Sequence, residues 1–412
     1  KRSIVLGDHG VLNFSKAERL SNNVINHFLS SVETTKAGVN ESTTASDDVI
    51  NLASGSVLVV GGAGRDRVTI TAAASNALTE RMVVGGHARI EFDAFGQMIR
   101  MVSTDTAVTQ DDDDIVTIGA GRDAASGSFG TNYVIGGMGN DQVFVGGASF
   151  IEETNTVLSG TGISTDILIG DNGEVVRSET VITNNVVSKA PQLLLVRSIV
   201  NDLGGNDIVG AGSSIDVGGK TLIGGMGSDL LSALDGDHFL LGDSGSLQYD
   251  TAAENGVLRT LLSEGLVFGG DDTITLGDGF KMVVGGFGAD TVRVNATSNA
   301  KSSDTNQRGR FARYLLGDAA TVSFDVVGGV QTVTSADVIA ATAGNDAITV
   351  GVLDSNKDLG RNVIVGGLGA DTITVQPGAY SIDTVVGDNV QIEQKAQGYG
   401  IQLINTLNDE KG

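Results

Sequence analysis

VVGGFGADTVRV, residues 283–294, sets three glycines and an aspartate on one short turn between two valine-rich runs. Glycine loses more conformational entropy on ordering than any other residue, so such a cluster predicts positive φ angles or a close approach to the backbone. The turn recurs as VVGGAGRDRVTI (59–70), VIGGMGNDQVFV (134–145), LIGGMGSDLLSA (222–233) and IVGGLGADTITV (364–375). Five near-copies of one pattern make this a repeat protein.

Two further motifs keep a fixed order around that turn. Gly-Asp turns follow it, in VLGDHGVL (5–12), LIGDNGEV (168–175), LLGDSGSL (240–247), LLGDAATV (315–322) and VVGDNVQI (385–392). In VVGGHARI (83–90) Gly86 stands where the others have aspartate, which predicts a turn without a carboxylate. A third set precedes the GGxGxD turn: DDVINLASG (47–55), DDIVTIGAG (113–121), NDIVGAGSS (206–214), DDTITLGDG (271–279) and NDAITVGVL (345–353). The chain is thus expected to divide into 1–46, a Gly-Asp turn with its insertion, and repeat units 47–112, 113–205, 206–270, 271–344 and 345–412, with truncation of the last as an open expectation.

The segments after the Gly-Asp turns alternate apolar and polar residues about a turn, as in ARIEFDAFGQMIRMVST (88–104) and TVSFDVVGGVQTVTS (321–335). SLQYDTAAENGVLRTLLS (246–263) and VQIEQKAQGYGIQLINTL (390–407) read the same way, as β-hairpins. Only SKAERLSNNVINHFLSS (15–31) leaves room for a helical turn. The expected fold is all-β, a parallel β-roll or β-solenoid of about five units with hairpins projecting from it.

Asp48 and Asp66 are 18 residues apart, as are Asp272 and Asp290, which is two strand-and-turn steps of nine. In a parallel roll each pair falls on one edge, about 4.8 Å apart in the stacking direction. Carboxylates that close repel unless a cation lies between them, and calcium takes six to eight oxygens of mixed carboxylate and carbonyl kind. Asp114 to Asp141, Asp207 to Asp229 and Asp346 to Asp371 span 27, 22 and 25 residues, which a regular roll admits only with local bulges or loops.

GGxGxD followed by alternating apolar residues resembles the nonapeptide of the RTX (repeats-in-toxin, hemolysin-type) calcium-binding family. The matching residues are Gly61, Gly62, Gly64 and Asp66; Gly136, Gly137, Gly139 and Asp141; Gly224, Gly225, Gly227 and Asp229; Gly285, Gly286, Gly288 and Asp290; and Gly366, Gly367, Gly369 and Asp371. The resemblance implies a Ca²⁺-binding parallel β-roll, secretion from a bacterium, and folding outside the cell. Family members carry nonapeptides in direct tandem, whereas here one full copy per unit is interrupted by hairpins.

Composition favours cations as partners and leaves the redox compartment open. The chain has 26 basic and 50 acidic side chains, no cysteine and a net charge of −24, which opposes nucleic acid and anionic membranes as partners. No apolar run approaches the roughly 20 residues of a membrane span. His9, His27, His87 and His238 occupy unrelated positions in their units and read as scattered surface residues rather than a zinc site or catalytic triad. Threonines three residues beyond the turn aspartates, such as Thr69, Thr117, Thr275, Thr349 and Thr374, read as outward-facing strand residues, with an ice-binding rank as the sharper alternative. The expected function is a non-enzymatic, calcium-binding structural segment of a secreted bacterial surface protein, an adhesin stalk, surface layer or filament, partnered by calcium ions and by adjacent repeats or further copies of itself. The alternatives are an RTX-like module beside a secreted enzyme or toxin domain, and a carbohydrate-binding surface using hairpin tips such as QGYG (397–400).

Overall fold

The computed structural model describes residues 2–16, 27–34, 47–53, 55–71, 79–105, 112–119, 130–146, 148–158, 164–183, 186–199, 204–211, 219–233, 235–250, 256–263, 269–296, 312–335, 344–352, 361–376, 382–394 and 401–407. Among these the chain is nearly all β, with one short 3-10 turn at Glu152–Thr154. The strands form two parallel sheets, of eleven and ten strands, an antiparallel sheet of twelve, and two separate two-stranded hairpins.

One unit shows how the chain moves between the sheets. Thr273–Leu276 lies in the ten-stranded outer sheet and Lys281–Gly286 in the eleven-stranded middle sheet. The GGFGAD turn leads to Thr291–Ala296 in the outer sheet, and Ala312–Asp318 returns to the middle one. Ala320–Phe324 and Val330–Ser335 then form a hairpin in the antiparallel cover sheet. The other units repeat this itinerary, unit 113–205 with two added hairpins, and all three sheets run unbroken through the unit boundaries.

The layer order explains the residue pattern. The middle sheet is buried on both faces, and its strands therefore read as continuous apolar runs. Val283 packs with the outer sheet, in a core that includes Val292 and Val294, while Met282 and Val284 pack with the cover sheet, beside Val322 and Val333. Outer strands alternate instead, with Val292 and Val294 inward and Thr291 and Arg293 outward.

The hairpins do not project. They lie flat on the middle sheet and pair with one another edge to edge, as in Thr260 with Ser323 and Thr332 with Glu393. The physical reason is their own alternation, because a lone two-stranded ribbon with one apolar face is marginal in water. The stretch expected to tolerate a helical turn is also strand where described: Gly10–Lys16 pairs antiparallel with His27–Thr34, and residues 17–26 lie outside the described residues. The threonine rank is interrupted at Phe144, Gly210, Ser232 and Arg293, and Val157 of a separate hairpin lies over Gly210.

Adjacent residues on one middle strand should therefore both be costly to truncate. In denaturant unfolding, Met282→Ala and Val283→Ala are each expected to lose about 2 kcal/mol or more. A neutral Met282→Ala would mean that no cover sheet lies on that face.

Candidate metal centre

Each outer strand begins at an aspartate, and these aspartates form one line. Asp48, Asp66, Asp114, Asp141, Asp207, Asp229, Asp272, Asp290, Asp346 and Asp371 are joined in that order, the backbone N–H of each donating to Oδ1 of the next at 2.7 to 3.0 Å. All ten aspartates singled out in the sequence are in this ladder, whatever their spacing. The longer intervals add residues between strands at the far end, as between Ile115–Ile118 and Gly130–Ile135, and leave the turn edge in register.

The other oxygen has a different environment. In Asp48, Asp66, Asp141, Asp207, Asp229, Asp272, Asp290 and Asp371, Oδ2 is buried without a hydrogen-bond partner among the described residues. It lies against the glycine that ends a middle strand. A Cβ added at Gly224 would sit 2.2 Å from both Asp229 Oδ2 and the Gly242 carbonyl oxygen. Gly61, Gly136, Gly285 and Gly366 meet the same pair of oxygens, from their own turn aspartate and a neighbouring glycine carbonyl. The second and third glycines serve the turn itself: Gly62, Gly64, Gly137, Gly139, Gly225, Gly227, Gly286, Gly288, Gly367 and Gly369 all have φ between 104° and 132°.

The Gly-Asp aspartates hold the next GGxGxD turn. Asp8 accepts the Ala63 N–H, and Asp171, Asp243 and Asp318 accept those of Met226, Phe287 and Leu368. Asp171 and Asp243 also take the N–H groups of Gly205 and Gly270. The turn at Gly86 is not without a carboxylate, contrary to its sequence. Asp105, beyond the hairpin, fills the place, with a Cβ on Gly86 falling 2.3 Å from its Oδ2, and it binds the N–H and ring Nδ1 of His87.

Burial dominates the electrostatics. It pushes Asp66 up to about 7 and Asp114 up to about 9, against the ladder N–H that each accepts and with added repulsion from neighbouring carboxylates. Burial raises Asp171 to about 8, opposed by the N–H groups of Met226 and Gly205. Asp141, Asp207, Asp229, Asp272 and Asp290 are likewise displaced far above the carboxylate range. Near neutral pH the line must take up protons or cations.

The donors are oxygens alone, one buried Oδ2 per turn beside a glycine carbonyl, which fits a hard cation of the calcium class rather than a thiophilic one. Among the described residues no three acidic, histidine or cysteine side chains converge on a point, so carbonyl oxygens must supply much of any coordination shell.

A second polar line, unforeseen in the sequence, crosses the opposite ends of the middle strands. Arg81, Asn132, Asp166, Lys220, His238, Lys281, Arg313, Asn362 and Asp383 are successive cross-strand partners. Arg81 donates to Asn132, Asn132 donates to Asp166, and Lys220 pairs with Asp166 inside the core. Arg313, Asn362 and Asp383 repeat that order. His238 belongs here, wholly buried rather than on the surface, and burial with Lys281 and Lys220 holds its pKa well below the usual imidazole range. The tip QGYG (397–400) lies outside the described residues.

Compared with protein-family models, curated proteins and solved structures, the chain matches none.

Two outcomes are expected of the turn edge. At pH 5 without divalent cations, Asp207→Asn keeps an acceptor for the Asp141 N–H and should be tolerated, whereas Asp207→Ala orphans that buried N–H and should cost about 1–3 kcal/mol. Gly224→Ala should destabilise the chain more than Gly351→Ala, where a Cβ meets nothing nearer than 3.8 Å. Equal melting temperatures for the paired variants would remove the ladder and glycine assignments.

The pH dependence follows from the raised pKa values. Without divalent cations, their stabilising contribution is complete below the ordinary carboxylate range near pH 4 and is lost as pH rises through about 7 to 9. In salt strong enough to screen surface repulsion, the melting temperature should fall from pH 5 to pH 9. A flat profile would show that the buried carboxylates are not titrating in the folded chain.

Proposed function

We propose that the chain is a non-catalytic, calcium-binding structural repeat segment of a secreted bacterial surface protein, built as a β-solenoid and folding when it meets calcium. The observation that carries this reading is the line of turn carboxylates, from Asp66 to Asp371 each with Oδ1 committed to a backbone N–H and Oδ2 beside a glycine carbonyl. Such a line is self-repelling at neutral pH unless a cation or proton is supplied, and calcium outside the cell supplies the charge. Binding energy then becomes folding energy. At low calcium the like-charged turns keep the chain extended for export.

The net charge of −24 and the oxygen-only turn edge support a cation as the principal ligand. Among the described residues no helix is long and apolar enough to cross a membrane. An adhesin stalk, a surface layer and an extracellular filament all require a long, repetitive, regularly stacked body, and pairing with adjacent repeats or further copies extends the same sheets.

Circular dichroism with sedimentation, followed through a calcium titration at pH 7.5 with magnesium as control, tests the proposal. A gain of β signal and compaction with calcium alone is expected. A chain already folded in chelator and indifferent to calcium would leave the GGxGxD turns as structural turns only.

A further inference from the structure

The ladder aspartates face glycine carbonyls of two kinds, and only one kind has a second carboxylate beside it. Oδ2 of Asp207 lies against the carbonyl of Gly224, and a Cβ on Gly170 would overlap both oxygens. A Cβ on the next residue, Gly225, would overlap Oδ2 of Asp171. The peptide joining Gly224 to Gly225 is therefore flanked by two carboxylates, one from the ladder and one from the preceding Gly-Asp turn. Asp272 and Asp243 flank the peptide joining Gly285 to Gly286 in the same way. At Asp229 and Asp290 the carbonyl belongs instead to a Gly-Asp glycine, Gly242 or Gly317. The aspartate after each of those glycines is engaged one turn further on, Asp243 with the N–H groups of Phe287 and Gly270, and Asp318 with that of Leu368.

The electrostatics divide along the same line. After burial, the largest influence raising Asp207 and Asp272 is repulsion from Asp171 and Asp243, whereas for Asp141 and Asp229 it is repulsion from the neighbouring ladder carboxylates Asp207 and Asp272. The paired carboxylates are also prepared for a ligand. Asp171, Asp207, Asp243 and Asp272 are only 1 to 3% exposed, and Oδ2 of Asp207 and of Asp272 has no hydrogen-bond partner among the described residues. Asp171 and Asp243 are each fixed by two backbone N–H groups, which leaves half of a carboxylate's acceptor positions open.

We propose that cations of the calcium class occupy every second turn of the ladder, one per repeat, each held between a Gly-Asp aspartate and the ladder aspartate that follows it, as between Asp171 and Asp207. This placement rests on the calcium reading of the turn edge. It adds the Gly-Asp aspartates to the ligands and removes the GGxGxD aspartates, Asp229 and Asp290 among them. Two carboxylates with a glycine carbonyl make a better site for a hard divalent ion than one carboxylate with a carbonyl. Spacing acts in the same direction, because ions in adjacent turns, about 4.8 Å apart, repel about twice as strongly as ions two turns apart. The pairing recurs at Asp8 with Asp48 and at Asp318 with Asp346, and Asp105, standing in at Gly86, supplies the partner of Asp114.

Counting ions tests the placement. The full chain is folded in millimolar calcium at pH 7.5, in salt strong enough to suppress surface binding, dialysed to equilibrium and measured by atomic emission. About five ions per chain are expected, one for each pair. A count near ten would mean that every turn is filled, overturning the placement and leaving the calcium reading intact; a folded chain with no bound ion would overturn both. Asp272→Asn keeps an acceptor for the Asp229 N–H and turns an amide toward the Gly285 carbonyl, and Asp229→Asn makes the same change one turn away, at the Asp207 N–H and Gly242. Bound calcium should fall by one in Asp272→Asn and be unchanged in Asp229→Asn. Equal loss in both, or loss in Asp229→Asn alone, would overturn the placement. Should either variant fail to fold, the spacing of lanthanide peaks in crystals of the parent decides, with about 9.6 Å expected and about 4.8 Å contradicting it.

Discussion

Each turn aspartate binds the turn beside it through one hydrogen bond, from a backbone N–H to Oδ1, and the whole array is organised by the repetition of that bond. It fixes where each outer strand starts, because the carbonyl of the same aspartate accepts the N–H that opens the next strand, as Asp229 does for Thr273. It also fixes which oxygen is left over. Oδ2 is directed at the end of a middle strand, where any side chain larger than hydrogen would collide with it. Glycine there is a consequence of the carboxylate, and the buried line of charge follows from stacking the turns.

That constraint accounts for the layers above it. Middle strands ending in a common line of glycines stay in register over all eleven strands, and their two apolar faces need cover on both sides. The outer sheet covers one face and the hairpins cover the other. The hairpins match the spacing because one of them, two strands wide, follows every second middle strand. Gly-Asp aspartates then brace four of the five GGxGxD turns from the preceding Gly-Asp turn, so those turns are held both by the ladder and by their neighbours.

The ten turn aspartates were legible in the sequence as residue types at turns, but the hydrogen-bond ladder that joins them was not, because spacing alone does not decide which of them meet. Asp141 and Asp207 are bonded although 66 residues separate them, since the additional chain leaves and returns away from the turn edge. Other features depend on partners that no local pattern names. Asp166 and Lys220 are ordinary polar residues at strand starts until the sheet sets them side by side, and His238 looked like a surface residue for the same reason. Asp105 replaces the aspartate missing at Gly86 only because a hairpin carries the chain back to the turn. The alternation marked the hairpins but not their place: they were expected to project, and neither their lying flat on the middle sheet nor their lateral pairing was legible, because both depend on a neighbouring surface that no local pattern names.

Crystallography with calcium, using the anomalous signal of the ion or of a lanthanide in its place, tests the central claim most directly. The account predicts a row of peaks along the aspartate line, each within about 2.3–2.6 Å of an Oδ2 and a glycine carbonyl oxygen. An intact ladder with no ion along it, in crystals grown at millimolar calcium, would contradict the account and leave the carboxylates as protonated structural groups.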